Sequence, residues 1–203
     1  MPRSSTPTTA VRRTGAQTRA EAIRIALRLF TEQGYAATSL RQIADELGIN
    51  KASLYYYFDS KEAMLRALLD QRGEEAEQLV RWLAEQPRSA DLVATAVLRW
   101  VDSFSAEKLQ GIRFLAANPL IARTLTGSAG RDRIGAPLTA FVDALADLLP
   151  ERTPENEVLL RMAVLSINAA VFAAARADLP DAAILGAARR GAVALVADIS
   201  THG

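Results

Sequence analysis

Apolar residues recur along most of this chain at intervals of three and four, the spacing that places them on one face of a helix. Over 17–33 the stripe is Ala22, Ile23, Ala26, Leu27 and Phe30, and Gly34 ends it. Over 39–47 it is Leu40, Ile43, Ala44 and Leu47. Ser39 and Gln42 stand at capping-box spacing in front, and Gly48 stands behind as a left-handed stop. A third helix is predicted over 50–57, with Asn50 as its cap and Leu54 and Phe58 as its buried side. A fourth follows, capped by Asp59 with Glu62 at its third position, and runs to about Leu83. The later pattern predicts helices over 89–104, 107–116, a short one from Pro119, then 137–149, 154–177 and 181–199. The stretch 126–135, TGSAGRDRIG, reads as a loop. No stretch alternates like a strand, so the fold class is all-α: a three-helix N-terminal unit, then a helical bundle.

The third helix turns an uncommon set outward. Lys51, Ala52, Ser53, Tyr55 and Tyr56 cannot all face a small core, and they bring a cation, hydroxyls and flat rings together. Such groups reach base edges and phosphates. Two short helices crossing through a glycine turn form the helix-turn-helix that lays such a surface in a major groove. Ala44 is small enough to let the two helices cross closely.

The run AATSLRQIADELGINKASLYYYFDSKEAML, with Gly34-Tyr35 before it, resembles the DNA-binding signature of the tetracycline-repressor (TetR) family over about the first 70 residues. The resemblance implies a repressor that binds palindromic double-stranded operator DNA as a homodimer and is released by a small-molecule effector. It implies base-edge contacts from Arg41, Lys51, Ser53 and Tyr55, an apolar contact from Ala52, and phosphate contacts from Ser39, Tyr57 and Lys61. Tyr56 can take either role, because the family often carries a histidine at one of the positions that 56 and 57 occupy here. The implied domains are a disordered basic arm (1–16), a helix-turn-helix DNA-binding domain (17–62), and an effector-binding and dimerisation domain (63–203). The arm carries Arg3, Arg12 and Arg13, with Pro2 and Pro7; it can lie along DNA or be idle.

The second half offers less chemistry. Helix 154–177 is apolar nearly all round in its later part, and helix 181–199 is rich in alanine and glycine, so one chain does not obviously cover both. The family resemblance assigns a four-helix dimer interface to this pair; completion of a monomeric bundle is the alternative. Trp82, Trp100, Phe104, Phe114, Phe141, Met162, Asn168 and Phe172 can line a small-molecule pocket or form plain core. Asn168 needs a polar partner, which an effector, a backbone carbonyl or Asn168 of a second copy can supply.

Composition narrows the function classes. The chain has 203 residues and no cysteine, and its single histidine, His202, is next to last. Neither a thiolate metal site nor a His-based catalyst fits, and there is no phosphate-binding glycine loop and no G-x-S-x-G. The reading is therefore a non-enzyme without metal or cofactor. Residues 1–66 hold ten Lys/Arg against six Asp/Glu, whereas 67–203 hold fourteen against seventeen. A basic front suits a polyanion. No signal peptide is visible, and the longest apolar run, 162–175, is too short to span a bilayer, so a cytoplasmic protein without a membrane partner is expected.

Overall fold

The computed structural model describes residues 13–125, 131–175, 177 and 179–201, without the side chains of 131–134. Two compact units, Met1–Lys61 and Glu62–Gly203, divide the chain. Among the described residues the regular structure is helical throughout.

In the first unit, α1 (Gly15–Gln33) starts two residues earlier than expected. Thr14 is the reason. Its hydroxyl accepts the Gln17 N–H at 3.2 Å, and the Gln17 side chain accepts the Thr14 N–H at 2.8 Å. This closed capping box satisfies two of the donors that a helix start leaves open. The expected arm over 1–16 is thus corrected at its end. Arg13 to Ala16 are ordered against the unit, and Arg13 donates from Nη1 to the Leu47 carbonyl at 3.1 Å. The arm up to Arg12, with Arg3, Pro2 and Pro7, lies outside the described residues.

Helix α2 (Leu40–Leu47) carries the second capping box, between Ser39 and Gln42. Gly48 ends it with φ 74° and ψ 31°, and the Ile49 N–H reaches back to the Ala44 carbonyl at 3.0 Å. That left-handed residue turns the chain sharply enough for α3 (Lys51–Tyr57) to begin at once, capped by Asn50 through the Ser53 N–H at 2.7 Å. Ile43, Ala44, Leu47, Leu54 and Phe58 bury with Ala22, Ile23, Ala26, Leu27 and Phe30 of α1. Ala44 and Leu54 are wholly buried.

Helix α4 spans Lys61–Ala84, so Ser60 rather than Asp59 occupies the residue before its first turn. The remaining helices are α5 (Leu92–Asp102), α6 (Ala106–Ala117), α7 (Pro119–Leu125), α8 (Arg131–Ala146), α9 (Pro154–Val164), α10 (Ser166–Ala173) and α11 (Asp181–Thr201). Helix α11 buries Ile184, Ala188, Ala192, Val196 and Ile199 along one side and packs on α5, α9 and α10. Trp100, Leu109, Phe141, Leu145, Leu160 and Ile167 fill the space around it.

Three expectations for this unit are corrected. Helix α5 starts at Leu92, not Ser89, and Asp91 makes no side-chain cap there. Helix α8 starts at Arg131, so Pro137 lies inside it and the loop expected over 126–135 does not extend past 130; residues 126–130 lie outside the described residues. The helix expected over 154–177 is two helices, bent by 64° at Leu165. The last residue of α9, Val164, gives its carbonyl to the Trp100 indole N–H at 3.0 Å in a buried bond. A helix end needs such a partner for its open carbonyls. No single helix among the described residues is long and apolar enough to cross a membrane.

Gly48 supplies a direct test of the turn. A Cβ added there meets nothing within 4 Å, so the cost of Gly48→Ala is purely that of a left-handed backbone. Denaturant unfolding is expected to show a loss of about 1–2 kcal/mol. An unchanged midpoint would show that the chain does not turn through a left-handed residue.

Candidate nucleic-acid interface and an apolar cavity

The helix that would face DNA is held from behind. Leu54 and Phe58 are buried at 0% and 3%, which fixes the rotation of α3 and forces the other side outward. Lys51 and Ala52 are exposed, and Tyr55 and Tyr56 stand out at 45% and 86%. The Lys51 ammonium lies 5.3 Å from the Tyr55 ring centre, one helical turn away. Tyr56 and Tyr57 meet edge to face at 5.3 Å. Arg41 projects from α2, with only a loose 3.8 Å pairing to Asp45. Lys51, Tyr55 and Tyr56 on α3 and Arg41 on α2 are thus all exposed, while Ser53 is half-buried.

The three residues expected to hold phosphates already have duties inside the unit. The Ser39 hydroxyl caps α2 and also donates to Gln42 Oε1 at 2.9 Å. Tyr57 is half-buried, and its hydroxyl lies against Gly15 at the start of α1. Lys61 donates from Nζ to the Tyr35 carbonyl at 2.5 Å and the Thr38 carbonyl at 2.7 Å, with its charge 4.4 Å from the Tyr35 ring centre. The segment between α1 and α2 is closed further by Thr38, which is buried and donates both its N–H and its hydroxyl to the Gly34 carbonyl. Lysine can donate three hydrogens, so one remains for an outside acceptor. Sequence reasoning missed Thr14 and Arg13. The T-x-x-Q spacing of Thr14 and Gln17 was the available signal for the first; nothing local marks Arg13 as a partner for Leu47.

The second unit contains a cavity of about 380 Å³. Its walls are Leu68, Leu69, Gln71 and Arg72 of α4, Trp100 and Phe104, Lys108, Gly111, Ile112, Leu115 and Ala116 of α6, Ala122, Leu138, and Val164, Leu165 and Asn168 at the α9–α10 bend. Trp100, Phe104 and Asn168 therefore stand where a pocket exists. The other five candidates do not. Phe114 and Phe141 are buried outside the cavity lining, Trp82 packs under Arg99 with 4.8 Å between charge and ring centre, and Met162 and Phe172 are 51% and 79% exposed. Asn168 lies in an exposed position on the rim rather than sealed among apolar groups.

Arg72 is the residue of the cavity that sequence reasoning did not single out. It is buried, with its guanidinium carbon 4.0 Å and 3.7 Å from the ring centres of Trp100 and Phe104. Its Nη1 donates to Glu75 and, at 3.1 Å, to Ser103 Oγ. Burial lowers its pKa to about 10 against the opposing pull of Glu75, so it stays charged at neutral pH. Lys108 pairs with the same Glu75 at 2.7 Å and donates to the Ser103 carbonyl at 2.8 Å.

A third surface is apolar and open. Val158, Met162, Leu165 and Phe172 are all more than 40% exposed along α9 and α10, as is Val193 on α11. Among the described residues no cluster of His, Cys, Asp or Glu could hold a metal ion.

Residues 22–68 match the family described as bacterial regulatory proteins, tetR family. The transcriptional repressor KstR2 of Rhodococcus jostii (strain RHA1) is 51% identical over 51 residues, a quarter of each chain. The negative regulator of the biofilm operon icaADBC, IcaR of Staphylococcus aureus (strain Newman), is 54% identical over 39 residues, 19% of this chain and 21% of that one. The chain thus spans about a quarter or less of the length of these curated relatives. The solved structure of a TetR-family regulator from Mesorhizobium loti MAFF303099 shares the fold over 92% of this chain and 98% of its own, at 20% identity and a TM-score of 0.58. Residues 22–68 thus match the DNA-binding segment of tetR-family bacterial regulatory proteins, and the chain as a whole shares its fold with the Mesorhizobium loti regulator.

Proposed function

We propose that the chain is a transcriptional repressor that binds palindromic operator DNA as a homodimer and lets go when a small molecule fills the cavity of its second unit. The observation that carries this reading is the outward face of α3, where Lys51, Tyr55 and Tyr56 stand exposed on a helix whose rotation is set by buried Leu54 and Phe58. Helix α3 with Arg41 from α2 reads base edges, through Lys51, Ser53 and Tyr55, and Ala52 touches a thymine methyl. Ser39, Tyr57 and the third hydrogen of Lys61 hold phosphates at the margins. Tyr56, the most open ring, lies along the backbone or over a base edge. The protein acts where the DNA is, in the cytoplasm.

Supporting the dimer is the stripe Val158, Met162, Leu165 and Phe172, with Val193 on α11. Several large apolar side chains left this exposed on neighbouring helices suit a two-fold contact. Supporting ligand release is continuity: α4 carries Lys61 and also the cavity residues Leu68, Leu69 and Arg72 on one helix.

Two measurements test the reading. In DNA binding across a salt series, Lys51→Ala and Ser53→Ala are expected to shrink the gap between operator and random DNA by roughly 1–3 kcal/mol each. Lys61→Ala should weaken both alike and lower the salt slope by about one unit. Because Lys61 also closes the Tyr35–Thr38 turn, the same variant should lose thermal stability without DNA; a variant that alters base preference but not the salt slope would reverse these roles.

Sedimentation tests the dimer. Phe172 is exposed in the single chain, so Phe172→Arg leaves the fold intact while placing a charge in the contact. It is expected to weaken association by about 2 kcal/mol or more. A wild-type monomer at micromolar concentration, or a Phe172→Arg dimer as tight as wild type, would remove this interface.

A further inference from the structure

The cavity of the second unit has a specific chemical bias. Most of its wall is hydrocarbon: Leu68, Leu69, Ile112, Leu115, Leu138 and Val164. Gln71, Arg72, Lys108 and Asn168 break that wall, and Arg72 is the buried one of the four. Trp100 and Phe104 cover its guanidinium, and Glu75 and Ser103 take Nη1. Nη2 is closed off from the cavity surface and has no hydrogen-bond partner among the described residues. A buried charged donor left unmet costs more than a neutral one, so an anion beside this charge is favoured.

The charge of the cluster points the same way. Arg72 and Lys108 are two cations joined to one carboxylate, Glu75, so the cluster holds one positive charge beyond what it neutralises. Lys108 spends two bonds, on Glu75 and the Ser103 carbonyl, and keeps a third hydrogen on the cavity side of α6. An apolar neutral molecule would fit the walls and leave the excess positive charge of the cluster uncompensated. A cation would be repelled. A polyanion such as a nucleotide would find too few polar groups in a wall this apolar. The volume of about 380 Å³ lies in the range of small-molecule sites.

We propose that the cavity binds an amphipathic monoanion, a molecule with an apolar body and a single carboxylate, whose carboxylate meets the Lys108 ammonium beside the buried Arg72 charge while its body lies against α4, α6 and Leu138. This names the chemical class of the effector and rests on the reading of the cavity as the effector site.

The test is a matched ligand series on the purified wild-type protein without DNA, read by calorimetry and by thermal stabilisation. Two scaffolds are each presented with three head groups: decanoate, decanol and decylammonium, then 2-naphthoate, 2-naphthylmethanol and 2-naphthylmethylammonium. For at least one scaffold the carboxylate is expected to bind at least about tenfold tighter than the alcohol and the ammonium least, the ratio that one charge-assisted bond supplies. Arg72→Gln should reduce that preference to about threefold or less, with Arg72→Lys intermediate. Equal binding of carboxylate and alcohol by wild type would mean that the excess charge of the cluster does not favour an anion and would overturn the proposal, as would preference for the ammonium or binding of no probe in either scaffold. Because the wild-type ratio decides the matter, an Arg72→Gln protein that fails to fold does not protect the idea. Operator binding is measured separately with unliganded protein. Its failure would remove the repressor reading while leaving the carboxylate preference standing, and the converse result would remove only the ligand class.

Discussion

Helices of eight and seven residues do not hold together alone in water, because the cost of the first turn is not recovered over so few bonds. The surface proposed to face DNA is built on two such helices. Their persistence depends on what closes their ends and backs their inner sides: Ser39 with Gln42, Asn50 with the Ser53 N–H, Gly48 between them, and Ala44 and Leu54 buried against α1. Each cap is worth about 1 kcal/mol, comparable to a modest hydrophobic contact. The angle at which α3 is presented follows from these local terms together, not from any one long-range bond.

The same economy explains why residues expected to touch phosphates are not idle. Ser39 caps, Tyr57 packs by Gly15, and Lys61 closes the turn through two carbonyls. A side chain fixed by an internal duty has little rotamer freedom left to lose when DNA arrives, so its contact is gained at lower entropic cost. The exposed set, Lys51, Tyr55, Tyr56 and Arg41, has no such anchor and can adjust to the sequence it meets. Rigid margins with an adaptable centre suit a surface that must find register first and read bases second.

What was legible in the sequence was local. Gly48, Ser39 with Gln42, Asn50, and Thr153-Pro154 act over three or four residues, and the structure uses each as its spacing implies. What was hidden depended on distant partners. The run around Leu165 has no proline or glycine, yet α9 ends there, and the indole that takes the Val164 carbonyl is 64 residues away. Periodicity offered Phe114, Phe141, Met162 and Phe172 as pocket wall or plain core and cannot tell the two apart; Phe114 and Phe141 are buried, and Met162 and Phe172 are exposed in the single chain. Arg72 with Glu75 reads as an ordinary solvated pair three residues apart. Only when α5 and α6 bring Trp100, Phe104 and Lys108 to it does it become a buried charge.

That buried cluster is hard to explain as a device for stability. Removing charges from water is expensive, and apolar replacements of similar volume commonly do as well or better. Leucine or methionine at 72 would match the surrounding walls, whereas arginine leaves one nitrogen unmet and one charge in excess. The two rings that cover the guanidinium return part of the cost through cation–π attraction, by about 2 kcal/mol or more for a desolvated pair, but that term does not require an unpaired Nη2. On the proposed reading, a residue whose excess charge is costly alone and favours an anion beside it would put its free energy into the liganded state. This differential is what a switch requires: a ligand can shift an equilibrium only by as much as it prefers one state over the other.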